Sequence, residues 1–313
     1  MTATAQLFAA YRVGEPISVR NLTVTPLYAT REGGPAYITL DEALAGKSAE
    51  TTEINEAGSV PELRFRNDGQ LPVFLLDGEE LRGAKQNRVL NMSILADAKA
   101  ETMIPVSCIE AGRWNFKSRA FQSSAHAHHS RGRAGKLRSV SDSLRMFGAA
   151  RSDQSQVWSE IGRKQAAMMS ASATSALSDT FDSYKDPIEE YVSGIDFPKD
   201  ACGAAFAVNG ATLGVEIFDR PETCSALIGK LIRSWALDAL EAERAAPARN
   251  GVSLDELLAR VSRAKGDRYE AAGLGDHVRF EDDKVVGGAL EYEGVRLHTV
   301  AYARTYGEEA TVY

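Results

Sequence analysis

Three turn-forming dipeptides that end in glycine constrain this chain more than any other feature. Asp68-Gly69, Asn209-Gly210 and Glu293-Gly294 each separate two short apolar runs. Such dipeptides accept the positive φ angles of a tight hairpin, so each predicts two antiparallel strands. They join Glu62–Asn67 to Leu71–Leu76, Ala204–Val208 to Thr212–Phe218, and Val285–Tyr292 to Val295–Arg304. Strands are also expected at Leu22–Tyr28, Tyr37–Leu40 and Val278–Glu281, and Arg88–Leu95 is expected to pair with Thr102–Ile109. Pro105 cannot donate to a ladder, which puts its strand at an edge or a bulge.

Helical patterns fall between these strand groups. A short helix is read at Asp41–Ala45, and loose helical spacing links Val157, Ile161, Met168, Leu177, Phe181 and Tyr184. Asp186-Pro187 reads as the start of another helix, with Asp186 as its cap. The strongest helix is capped by Asp219 and carries Cys224, Leu227, Ile228, Leu231 and Trp235 on one face. A last helix begins at Ser253, with Glu256 in the capping position. Strands, helices, a hairpin, helices and strands do not alternate as a doubly wound parallel sheet requires. The expectation is therefore α+β, with largely antiparallel β-sheets and helices inserted between strand groups, in one compact domain over residues 1–313. Neither a dinucleotide-binding G-x-G-x-x-G after a strand nor a phosphate loop is present.

Composition excludes several classes. With 44% hydrophobic and 25% charged residues, the chain has an ordinary globular balance. No apolar run approaches the roughly 20 residues that span a bilayer. The N-terminus lacks a basic region followed by an apolar core, so a cytoplasmic protein without a membrane partner is expected. Cys108, Cys202 and Cys224 are too scattered for a disulfide framework or a zinc motif, and Cys108 reads as a buried strand thiol.

The net charge of −7 hides an asymmetry. Residues Ala111 to Arg151 hold nine Lys or Arg and one acid, hence +8, which leaves −15 on the remainder. Within this region, residues 118–155 are poor in apolar side chains and read as a mobile basic segment with a short helix near Ser141–Phe147. His126, His128 and His129 lie there at no recognised zinc spacing. They are read as part of a basic loop that closes over a ligand or contacts RNA.

The densest chemistry is LDGEELRGAKQNRVLN, Leu76 to Asn91, directly after an apolar strand. Asp77, Glu79 and Glu80 are candidates for an acid–base pair or for oxygen ligands to a divalent cation, the one cofactor the pattern admits. Arg82, Lys85 and Arg88 suit phosphate or carboxylate, while Gln86 and Asn87 offer both donors and acceptors. Cys108-Ile-Glu-Ala-Gly-Arg-Trp114 ends an adjacent strand, where Glu110 and Arg113 can face the first cluster and Trp114 can stack a base. The bland alternative is a buried turn whose acids and bases neutralise one another.

These motifs, with VWSEIGRKQ and VNGATLGVEIFDRPET, resemble a bacterial family, the ARG and rhodanese-phosphatase superfamily associated protein domain family. The resemblance runs from about Val13 to Arg304. It implies association with ADP-ribosylglycohydrolases and related phosphatases, and so a role near NAD or ADP-ribose. It carries no catalytic residues. Two functions are expected on this basis: a protein that binds or processes a phosphorylated nucleotide, or a non-catalytic RNA- or protein-binding module that uses residues 111–151.

Overall fold

The computed structural model describes residues 11–29, 33–55, 61–244, 252–263, 266–304 and 306. The described residues form seven helices and eighteen strands, an α+β architecture with mostly antiparallel sheets. The helices are α1 (Leu40–Ala45), α2 (Ser130–Phe147), α3 (Gln154–Met168), α4 (Leu177–Ser183), α5 (Lys185–Gly194), α6 (Pro221–Arg244) and α7 (Leu254–Arg263).

A nine-stranded antiparallel sheet forms one layer. Its path runs Tyr11–Val13, Leu22–Ala29, Gly203–Val208, Ala211–Phe218, Val295–Ala303, Val285–Tyr292, Asp276–Glu281 and Gly266–Glu270, and Ile17–Val19 also pairs with Leu22–Ala29. Two of the three glycine turns lie here: Asn209 and Gly210, and Glu293 and Gly294, all have positive φ.

The second sheet has six strands in the order Phe121–Ala127, Glu79–Gly83, Arg88–Leu90, Ala100–Cys108, Glu62–Asn67 and Ala49–Thr52. An antiparallel bridge between Thr52 and Ala120 joins its two edges and rolls it into a small barrel. Leu63, Phe65, Leu81, Leu90, Ile104, Val106 and Phe121 belong to one buried cluster inside it. Three short strands, Ile94–Ala96, Val73–Leu75 and Ile38–Thr39, make a third sheet beside it, with one parallel pairing. A larger cluster joins the layers: Phe74, Leu76 and Val89 share it with Phe206, Phe218 and Trp235.

Several expectations need correction. Asp68-Gly69 is not a hairpin turn. Glu62–Asn67 pairs with Ala100–Pro105 and with Ala49–Thr52, whereas Val73–Leu75 pairs with Ile94–Ala96. Asp68 and Gly69 both lack positive φ. The Arg88–Leu95 run splits in two, and only Arg88–Leu90 pairs with Val106–Cys108. Pro105 sits where its strand changes partners, and its carbonyl accepts from the Asn91 N–H. Asp219 does not cap α6, because its carboxylate accepts from Gly34 N–H at 2.9 Å and from the Tyr37 hydroxyl. Asp186 lies inside α5, whose N-cap is Tyr184.

The expected irregular stretch at residues 118–155 is instead the strand Phe121–Ala127 and the 18-residue helix α2, with the start of α3. Two of its cations are internal. Arg133 and Lys136 are fully or almost fully buried on α2 and meet acids from two other layers. Lys136 bonds Asp77, and Arg133 lies 2.5 Å from Glu216 and 3.8 Å from Asp77. Glu216 in turn holds His298 Nε2 at 2.8 Å. His298 Nδ1 is 2.9 Å from the Ser93 hydroxyl, which accepts from the Asp77 N–H. Burial alone would raise both carboxyls, yet Lys136 and Arg133 hold Asp77 below its usual value, as Arg133 and His298 do for Glu216.

Gly78 packs directly on this network. Its φ is +78°, and a Cβ there would fall on the Arg133 side chain. Gly210 has a similar φ of +80° with open space around it. Gly210→Ala should therefore lose only the left-handed strain, about 1–2 kcal/mol. Gly78→Ala should lose a further ~1–3 kcal/mol from overpacking, read as urea midpoints. Equal losses would contradict the packing of Gly78 on Arg133.

Candidate functional site

After the strand Val73–Leu75 the chain turns at Asp77-Gly78, runs as Glu79–Gly83, turns through Ala84–Asn87 and returns as Arg88–Leu90. The three carboxylates diverge from this path. Asp77 points to α2. Glu79 points to α6, where Lys230 Nζ lies 2.5 Å away, and it also accepts from Ser123 Oγ and Leu76 N–H. Lys230, although buried, is held charged by Glu79 and Asp41. Glu80 faces outward from the barrel, under α4. Among the described residues no three His, Cys, Asp or Glu side chains gather as a metal-holding group.

Glu80 is the unusual one. It has no exposure, and neither of its oxygens has a hydrogen-bond partner. His126 Nδ1 lies 3.2 Å from one of them, off hydrogen-bonding geometry, and the imidazole stacks on Phe181 at 3.6 Å. Burial pushes the Glu80 carboxyl up to about 8, against the pull of Arg82. Burial also holds His126 down at about 3. The two form a neutral pair at pH 7. Arg82 covers them from the solvent side and bonds Asp182 at 3.0 Å.

Glu110 and Arg113 act on the turn itself. Arg113 donates to Glu110 at 2.9 and 2.6 Å, and to the carbonyls of Gly83 and Ala84 and the Asn87 side chain. Glu110 also accepts from Asn87 N–H and Thr174 Oγ1. Asn87 is spent on Gly83 N–H and Ser178. These three, expected as ligand contacts, hold the loop in shape.

The remaining predicted residues collect at the open end of the barrel. Arg88 pairs in register with Leu81 and Cys108, so it shares their inner face. It is fully buried, donates to Gln86 Oε1 at 2.8 Å, and has one nitrogen 3.8 Å from Glu53. Trp114 lies over the guanidinium at 5.6 Å, and Lys85 Nζ sits 5.4 Å from Trp114 and 5.0 Å from Phe116. Burial raises the Cys108 thiol to about 11, which makes it a poor nucleophile.

Beside this mouth opens a hollow of about 900 Å³, whose walls include Glu53, Arg64, Phe116, Lys117 and Arg119. Arg64 bonds the Ile54 carbonyl. Lys117 and Arg119 have no ion pair among the described residues. Sequence reasoning missed Thr51, Glu53 and Phe116. The charge excess over residues 111–151 includes Lys117 and Arg119 without singling them out, and no local signal marks Glu53.

Part of the expected basic stretch 111–151 is spent within the protein, while Lys117 and Arg119 stay exposed. Besides Arg133 and Lys136, Arg131 pairs with Glu160, Arg138 binds the carbonyls of Arg304 and Tyr306, and Arg145 meets Glu281. His126 lies on the strand Phe121–Ala127 and His128 and His129 in the short connection before α2; all three are buried, and His129 bonds Asp238 at 3.2 Å.

Residues 10–302 match the ARG and Rhodanese-Phosphatase-superfamily-associated Protein domain, ARPP-1. This chain belongs to the ARPP-1 family. No curated protein and no solved structure matches it. In this ARPP-1 chain no helix among the described residues is long and apolar enough to cross a membrane.

The neutral Glu80–His126 pair has a pH signature. The native state keeps the Glu80 proton up to about 8, whereas an unfolded chain releases it near 4.5. Between these values the native state binds more protons, so stability falls as pH rises through that window. Glu80→Gln should flatten this fall and raise the urea midpoint above wild type at pH 8, with little change at pH 4.5. Parallel profiles for the two proteins would contradict a buried neutral acid.

Proposed function

We propose that this ARPP-1 protein binds a phosphorylated nucleotide in the hollow at the barrel mouth. The observation that carries this reading is the pair of cations Lys117 and Arg119, without an ion pair among the described residues, on the wall of a hollow of about 900 Å³ that also bears Phe116. That volume suits a nucleotide-sized ligand. Phosphate oxygens gain charge-assisted bonds from Lys117 and Arg119, and a base gains stacking area from Phe116 and Trp114. The family's implied association with ADP-ribosylglycohydrolases makes ADP-ribose and NAD the first ligands to test. Binding is the function proposed, without a reaction. Asp77 and Glu79 are held in ion pairs away from the hollow, and Glu80 faces out of the barrel.

Calorimetry with ADP-ribose, NAD and AMP tests this on wild type and on the double variant Lys117→Glu, Arg119→Glu. Wild type should bind at least one of them, and charge reversal should weaken it by about tenfold or more. No binding by wild type, or equal binding by both proteins, removes the proposal.

A further inference from the structure

Among the described residues, the barrel mouth holds four buried polar atoms without a hydrogen-bond partner: Thr51 Oγ1, Glu53 Oε2, and Nε and Nη2 of Arg88. Thr51 pairs in register with Phe65, as Arg88 does with Leu81, so both belong to the inner face. Folded proteins leave only a few such atoms per hundred residues, because each forfeits its bonds to water without replacement, at a greater cost when charged. Four in one place ask for a missing partner.

Their chemistry restricts that partner. Arg88 offers two N–H donors, Glu53 offers an acceptor, and the Thr51 hydroxyl can do either. A phosphate would suit Arg88 and be repelled by Glu53. An apolar group would leave all four unmet. A planar group with a donor beside an acceptor, such as the amide- or amidine-like edge of a nucleobase, answers both charges.

Only a thin cover separates these atoms from solvent on the Trp114 side. Trp114 lies over Arg88 and is 46% exposed, and Phe116 is 53% exposed. The segment that carries them is irregular, and it is fixed at its root by Arg113 and by Lys117 N–H to the Ala84 carbonyl. Rotation of two half-exposed rings about their own side-chain bonds uncovers the mouth without moving that root.

We propose that the Trp114–Phe116 strap covers an occluded subsite, built by Thr51, Glu53 and Arg88, that takes the base of the bound nucleotide through a neighbouring donor and acceptor. This rests on the nucleotide reading of the adjoining hollow. It adds which end of the ligand enters the barrel and which residues select it. The phosphate stays outside at Lys117 and Arg119, and Trp114 changes from covering Arg88 to stacking on the base.

Calorimetry with AMP and with ribose 5-phosphate, which has no base, tests the subsite on wild type, Glu53→Gln and Thr51→Val. Wild type should bind AMP about tenfold or more tightly than ribose 5-phosphate. Both variants should bring AMP affinity down toward that of ribose 5-phosphate and leave the latter unchanged. If wild type binds neither compound, the subsite is wrong, and if it binds neither ADP-ribose nor NAD as well, the nucleotide reading itself fails. If it binds both alike, with water alone filling the subsite, the hollow stands and the subsite is wrong. An AMP preference that survives both substitutions also overturns the subsite, and Thr51→Val decides alone should Glu53→Gln not fold.

Discussion

The buried ion network around Arg133 ties the layers of this protein together. Asp77 and Ser93 come from the barrel side, Glu216 and His298 from the nine-stranded sheet, and Arg133 and Lys136 from α2 between them. Charges removed from water are expensive unless each finds a well-placed opposite. Here the partners close a ring, so displacing one layer would strand a charge in the other. Apolar contact alone tolerates small slips. A ring of this kind does not, and it fixes where the motif loop begins.

That constraint divides the motif into two parts. Its acidic start, Asp77 to Glu80, is committed inward: Asp77 to α2, Glu79 to Lys230 on α6, and Glu80 to a neutral pair with His126. Its later part, Lys85 to Arg88, reaches the mouth of the barrel, where Arg113 and Glu110 hold the turn in shape. The charge mixture that marks the motif is thus neutralised mostly by residues far away in sequence. Two atoms left with unmet capacity, Arg88 Nε and Nη2, lie beside the hollow.

Local signals were readable and distant ones were not. The turns Asn209-Gly210 and Glu293-Gly294 form as expected because two neighbouring runs settle their own pairing. Ser253 caps α7, its hydroxyl oxygen accepting from the Glu256 N–H at 3.2 Å. Asp68-Gly69 misleads because Glu62–Asn67 finds its partner more than thirty residues later. Residues 118–155 look like a solvated loop because Arg133 and Lys136 are polar in sequence, and only Asp77 and Glu216 make their burial tolerable. The same limit applies to the site. Lys85, Gln86, Arg88 and Trp114 do come together, but Thr51 and Glu53 reach them through strand pairing that no local pattern announces.

The central claim is that the acidic start of the motif braces the fold by direct pairing with α2. A double-mutant cycle on Asp77 and Lys136, with Asp77→Asn, Lys136→Met and both together followed in urea, measures it most directly. Each single change strands a buried charge and should cost about 3–5 kcal/mol. The double variant should lose less than the sum by about 1–3 kcal/mol. Losses that add to within about 0.5 kcal/mol would mean that the two side chains do not depend on each other, and would contradict the account.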